Sequence, residues 1–186
     1  MVAFVITANA QQPELKNSGE KDKLFVNTEL NNRFTELREV ARSIWSFAER
    51  GFLEEKSTAL LQDVLQKEGF QIEKGVAGMP TAFVASYGSG KPVIGILAEF
   101  DALPDLSQDS VPHVQPIKTG GAGHGCGHNL FGSASASAAI ALKEWLIKNK
   151  REGTVRLFGT PAEEGGSAKV YMVREALFDD VDAVLH

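Results

Sequence analysis

Residues 123–132 read Gly-His-Gly-Cys-Gly-His-Asn-Leu-Phe-Gly and hold Cys126, the one cysteine of the chain, together with His124 and His128. Thiolate and imidazole are the donors that zinc and other borderline metals favour. The glycines between them let the backbone turn tightly, so that both side chains can face one centre. A glycine-rich loop with a structural cysteine and two surface histidines is the plainer alternative, because two donors do not make a site. Two acidic segments move the balance toward metal. Asp101 follows the apolar run at 93–98, and Glu163 and Glu164 follow the short apolar run at 154–159. Adjacent acids are ordinarily a solvated charge pair. Behind a strand and ahead of Gly165-Gly166 they read as two carboxylates with separate tasks. One binds a metal ion while its neighbour takes a proton from water whose pKa the metal has lowered. Hydrolysis of an amide is the reaction such a pair serves.

These residues need elements to position them. Leu30, Phe34, Leu37, Ala41, Ile44, Trp45 and Ala48 recur at three- and four-residue steps, which predicts an amphipathic helix ending near Gly51. Ser57 or Thr58 caps a second helix with Leu60, Leu61, Val64 and Leu65 inward and Gly69 closing it. Strands are expected at 70–74, 81–87 and 92–99, with Gly88-Ser89-Gly90 as a hairpin-type turn between the last two. The continuous apolar run 93–98 predicts a central strand buried on both faces. Residues 105–123 form a long irregular loop, a feature that is usually functional. A helix over about 129–149 carries a Ser/Ala stripe suited to close packing on a sheet. A strand at 154–159, a helix from Ser167 to about Leu177 and a strand at 181–186 complete the chain. This alternation predicts an α/β fold with a mostly parallel sheet flanked by helices. In such sheets ligands bind beyond the carboxyl ends of the strands, where Asp101, Cys126, His128, Glu163 and Glu164 all fall.

At 186 residues the chain suits one domain. A net charge of −5 without a basic cluster argues against nucleic acid, and no apolar run reaches the length of a membrane span. A single cysteine excludes an internal disulfide and leaves Cys126 for metal or redox chemistry. Residues 1–27 read as a flexible leader and 28–186 as the folded part. Within the leader, residues 1–10 end in Ala-Asn-Ala after an apolar run. They read either as the remnant of a signal peptide, which implies a periplasmic or secreted protein, or as a disordered tail.

Three motifs, 98–104 (Ala-Glu-Phe-Asp-Ala-Leu-Pro), 123–129 (Gly-His-Gly-Cys-Gly-His-Asn) and 161–166 (Pro-Ala-Glu-Glu-Gly-Gly), resemble those of the zinc-dependent aminoacylase and amidohydrolase superfamily of metallopeptidases. The likeness runs from about residue 28 to the end. It implies the N-terminal part of a phosphorylase/hydrolase-like catalytic domain with two divalent metal ions, zinc in the first place and manganese, cobalt or nickel as other occupants. Carried over by position, Cys126 bridges the two ions, His128 and Glu164 are terminal ligands, and Glu163 is the general base. Asp101 lies beneath the metal site and orients a ligand, and His124 matches a family position without a ligand role. The implied substrate is an N-acyl or N-aroyl amino acid of the p-aminobenzoyl-glutamate kind, or a dipeptide-like conjugate. The resemblance also implies a cytoplasmic protein and a dimer for full-length members.

Two departures accompany the resemblance. The family's next histidine ligand is expected slightly beyond His186, so His186 is either that ligand or its neighbour. Family members also continue with a lid or dimerisation domain and a last histidine ligand. The expectation is therefore an incomplete fragment with a partial metal shell and an exposed sheet edge. Two other readings compete: a non-catalytic metal-binding or interaction module in a hetero-complex, and thiol chemistry at Cys126. The latter lacks a resolving cysteine.

Overall fold

The computed structural model describes residues 12–186, with side chains from Gly19 onward. The expected signal-peptide remnant at 1–10 lies outside the described residues. Helix α1 spans Gln12–Phe47 and α2 Glu55–Lys67. Strand β1 (Gln71–Lys74), a 3-10 turn (Val76–Gly78), β2 (Phe83–Ser89) and β3 (Val93–Ala98) follow. Helix α3 takes His128–Asn149 and β4 takes Gly153–Gly159; α4 is the single turn Glu163–Gly166, α5 is Ala168–Arg174 and β5 is Ala183–Leu185.

The strands form one sheet in the order β1-β2-β4-β3-β5. β3 pairs in parallel with both β4 and β5, whereas β2 is antiparallel to β1 and β4. The α/β architecture is as expected, and the sheet is mixed rather than wholly parallel. Side chains alternate between its faces, as the two-residue period of a strand requires. Phe83, Ala85, Ile96, Ala98, Val155 and Leu157 meet Ile44, Leu61, Leu65 and Ile140 of the three long helices. Val84, Leu97 and Phe158 point the other way and pack on Val76, Met79, Ala168 and Met172.

Four expectations need correction. Helix α2 begins at Glu55, with Glu54 at its N-cap position, so neither Ser57 nor Thr58 caps it. The leader expected over 1–27 is helical from Gln12, so α1 crosses the boundary placed near residue 28. Its Glu, Lys and Gln residues are good helix formers, Glu20 and Lys23 pair one turn apart at 3.1 Å, and the Lys148 ammonium stands 3.7 Å over the Phe25 ring. The expected hairpin between β2 and β3 does not form, because β4 inserts between them and pairs with all seven residues of β2. Gly88 makes this possible at φ +82, since a Cβ there would stand 2.3 Å from the Gly153 carbonyl oxygen. Phe34, expected on the inner face of α1, is 61% exposed beside an apolar groove between α1 and α3.

The Ser/Ala stripe does allow close approach. On α3, the Ser133 hydroxyl donates to the Leu37 carbonyl of α1 at 2.8 Å and Ser135 to the Leu97 carbonyl of β3 at 2.7 Å. Gly132 sits where α3 crosses the end of β3, and a Cβ there would lie 2.6 Å from the Glu99 carbonyl oxygen. Because the obstacle is backbone, α3 must shift to admit it. Gly132→Ala is therefore expected to destabilise the fold by about 1–3 kcal/mol, measured as a lowered midpoint in urea at unchanged slope. A variant as stable as the parent would refute this packing.

Candidate metal centre

The site is assembled by adjacent strand exits. In the parallel β3/β4 pair, Ala98 is level with Gly159, so the two strands deliver their chains at one height. Thr160 holds the exits together, its amide and hydroxyl both donating to the Ala98 carbonyl at 2.8 and 3.0 Å. Beyond β3, the Ala102 amide donates to the Glu49 carbonyl, and Leu103 exchanges two 3.0 Å backbone bonds with Gly123. That exchange returns the long loop to the site immediately before the Cys/His segment. Gly127, at φ +85, turns the chain into α3, whose first residue is His128.

His128 is the hub, and it is buried. Its Nδ1 lies 2.9 Å from Asp101 Oδ1 and its Nε2 3.0 Å from Glu99 Oε2. A carboxylate accepts only, so Nδ1 carries hydrogen in its bond to Asp101, and Nε2 faces the Glu99 carboxylate. Glu163 Oε2 stands 3.8 Å from Nε2, and Glu164 Oε1 stands 3.9 Å from Nδ1. The other oxygen of Asp101 accepts the Glu164 amide at 3.0 Å. Thus Asp101 fixes the ring of His128 and the backbone of Glu164 at once.

Two groups of donors share His128, each with its atoms within 4.8 Å of one another: Cys126, His128 and Glu164, and Glu99, His128 and Glu163. Thiol, imidazole and carboxylate are zinc-type donors. One observation inside the site fits a cation independently: Glu164 Oε1 is buried and has no hydrogen-bond partner. A buried carboxylate oxygen left so is costly unless a positive charge meets it.

Burial alone would lower the pKa of His128, but its bond to Asp101 and the charges of Asp101, Glu99 and Glu164 outweigh this and raise it. Burial likewise works against ionised Asp101. The His128 bond and charge, with the Glu164 amide, bring its carboxyl below the usual value. Glu99 is also lowered despite burial, through Lys169, His186 and His128. The Cys126 thiol is raised by desolvation and by the negative charges of Glu164, Glu163 and Glu99. Cation binding is what such a thiol needs to ionise.

Of the residues singled out in the sequence, Cys126, His128, Glu163, Glu164 and Asp101 converge. His124 does not join either donor group: its Nε2 donates to the Ile44 carbonyl at 3.1 Å, and its buried Nδ1 is unpaired. Desolvation in this position lowers the His124 pKa. His186 lies within the cluster, 2.8 Å from Glu99 Oε1 and edge-on to Phe131, but outside both donor groups. Sequence reasoning missed Glu99, which binds His128, His186 and the Lys169 ammonium. The available signal was an acid at the exit of a fully apolar strand. It also missed Glu54, a buried carboxyl under the 161–166 motif.

Residues 95–186 match the model of peptidase family M20/M25/M40. The chain is 50% identical over 149 residues to one subunit of the p-aminobenzoyl-glutamate hydrolase of Escherichia coli (strain K12), a match covering 79% of this chain and 31% of that protein. It is 30% identical over 153 residues to N-acetyl-L-cysteine deacetylase of Bacillus subtilis (strain 168), covering 78% and 34%. The chain thus spans less than half the length of these curated relatives. Among solved structures, a dinuclear metal-binding M20 peptidase of Bacillus subtilis superposes with a TM-score of 0.68 at 26% identity, over 87% of this chain and 42% of that one. The aminobenzoyl-glutamate utilization protein of Klebsiella pneumoniae shares the fold, with a TM-score of 0.60 at 20% identity, over 86% and 44%. The donor set of this chain is of the kind that can hold a divalent metal.

The clamp on His128 is open to test in chelator-treated protein. A raised folded pKa means that the stability contributed by the imidazolium is complete below the unfolded value of about 6.5. It is lost as pH rises through the higher folded value. Ring-proton NMR titration should place His128 above the ordinary histidine range, and Asp101→Asn should bring it down. An ordinary value in the parent protein would refute the double-carboxylate clamp.

Proposed function

We propose that this chain, whose residues 95–186 match peptidase family M20/M25/M40, contributes metal ligands and the general base to a hydrolase of N-acyl or N-aroyl amino acids. The observation that carries this reading is the convergence of Glu163 and Glu164 on His128 from opposite ring nitrogens. Cys126, His128 and Glu164 would hold zinc, with Cys126 shared between two ions. Manganese, cobalt and nickel are the other occupants to test. When bound, the ions supply Lewis acidity and a nucleophile at neutral pH.

The protein's own residues do the rest. Glu163, with 40% of its side chain exposed, takes a proton from the attacking water as its oxygen adds to the amide carbonyl. It then gives that proton to the leaving nitrogen as the C–N bond breaks, which releases acid and amine. Asp101 keeps His128 and Glu164 in register throughout. p-Aminobenzoyl-glutamate is the first substrate to try, supported by the 50% identity to the Escherichia coli relative. That relative is one subunit of its hydrolase, which also supports a partner chain. If the activity resides in such a partner, this chain is a metal-binding module, and the nearness of Glu163 to His128 speaks against that.

Glu163→Gln separates the two. In the protein that carries these residues, the variant should keep its zinc, by elemental analysis, and lose about 10²–10⁴-fold in kcat on p-aminobenzoyl-glutamate. Full turnover in the variant would refute the base assignment, and loss of metal would show that Glu163 is a ligand.

A further inference from the structure

Glu54 takes no part in that chemistry, yet it is among the most completely buried side chains of the protein. It stands at the start of α2, in the loop that follows α1. Its Oε1 accepts the Ala162 amide at 2.7 Å and its Oε2 the Thr81 hydroxyl at 3.0 Å. Neither partner needs an anion, and a leucine would fill the space with no charge to desolvate. Burial indeed pushes the Glu54 carboxyl up to about 7, against the bonds from Ala162 and Thr81.

What the carboxyl holds explains its presence. Ala162 has φ +52 and ψ +43, a left-handed conformation that an L side chain adopts only under constraint. Its carbonyl accepts from the Gly166 and Ser167 amides, both at 2.8 Å, so Glu54 completes the fixation of its backbone. The surrounding residues leave no slack. A Cβ on Gly51 would stand 2.8 Å from Ala162 Cβ, and one on Gly166 2.7 Å from the same atom. The next two residues are Glu163 and Glu164. A change in the φ or ψ of Ala162 would swing both away from His128.

We propose that Glu54 is a positioning residue for the acidic pair, its carboxyl oxygen locking Ala162 in the left-handed turn that aims Glu163 and Glu164 at His128. This rests on the reading of Glu163 as base and Glu164 as ligand. Glu54 itself touches no reacting atom.

The variants are Glu54→Gln, which keeps an acceptor for the Ala162 amide, and Glu54→Leu, which keeps bulk and removes it. In the protein that carries these residues, Glu54→Leu should lower kcat on p-aminobenzoyl-glutamate by about 10–100-fold, since a shift near 1 Å is enough for such a loss. KM should stay within about twofold and Glu54→Gln should keep kcat within about threefold, because substrate contacts and the acceptor respectively are retained. A purely structural role would lower thermal stability in both variants and leave kcat per folded molecule unchanged, which would overturn the proposal. So would a Gln variant as impaired as the Leu variant, because charge and not the acceptor would then matter. Hydrogen exchange gives a readout that needs no activity and no folded variant. In the parent 186-residue chain the Ala162 amide should be as protected as those of β4, and rapid exchange there would overturn the lock. An active Glu163→Gln enzyme would overturn the reading beneath it instead, with the Ala162 amide still protected.

Discussion

The site depends first on the parallel register of β3 and β4. Level pairing of Ala98 with Gly159 means that the acids of two sequence-distant segments leave the sheet side by side. No side-chain interaction could bring Glu99 and Asp101 to Glu163 and Glu164 if the strands were offset by two residues, because each residue of offset is worth about 3.3 Å. The close approach of Gly159 to Phe83 protects this register. A Cβ on Gly159 would stand 2.1 Å from that ring, so the core admits β4 in its present place only with glycine there.

Convergence then creates an electrostatic problem that the local residues resolve in part. Four carboxylates, of Glu99, Asp101, Glu163 and Glu164, approach one imidazole. Their repulsion is relieved by the bond from His128 to Asp101, by Lys169 and by His186. Glu99 is the most completely matched of the four, with Lys169, His186 and His128 on its two oxygens. Glu164 is the least, having a buried oxygen with no partner. The uncompensated charge is therefore localised beside Cys126, where the acids also hold the thiol in its neutral form. A divalent cation answers both conditions at one point, which is why the metal reading is preferable to a mere charge cluster.

Much of this was legible in the residue order. The apolar run at 93–98 is a buried strand, the Ser/Ala stripe is a closely packed helix, and the motif acids fall beyond strand ends. What escaped reading is non-local or contrary to local preference. Nothing near Gly88 announces that β4, far along the chain beyond α3, will displace β3 as the neighbour of β2. Ala162 and Ser167 bracket the single turn of α4 with left-handed conformations that neither residue type favours. Glu54 and Glu99 carry no local sign of burial, because it is decided by partners far away in sequence.

The gradient of exposure across the cluster gives the arrangement its chemical sense. His128 and Asp101 are buried, Glu164 keeps 20% of its side chain exposed and Glu163 40%, and Cys126 is open to solvent. Buried charges in a medium of low polarity interact strongly and hold their geometry, so the deep pair sets where the surrounding acids stand. A group that exchanges protons with water and a leaving amine must instead meet both, and it gains nothing from being sealed in. On the proposed reading Glu163 is the acid of the four whose position suits this, being close to the buried imidazole yet 40% exposed. The neighbouring Glu164, tied by its amide to Asp101, has lost that freedom. Two adjacent and chemically identical side chains are thus given different surroundings by one backbone turn, and the strain of that turn at Ala162 is offset by the contacts around it.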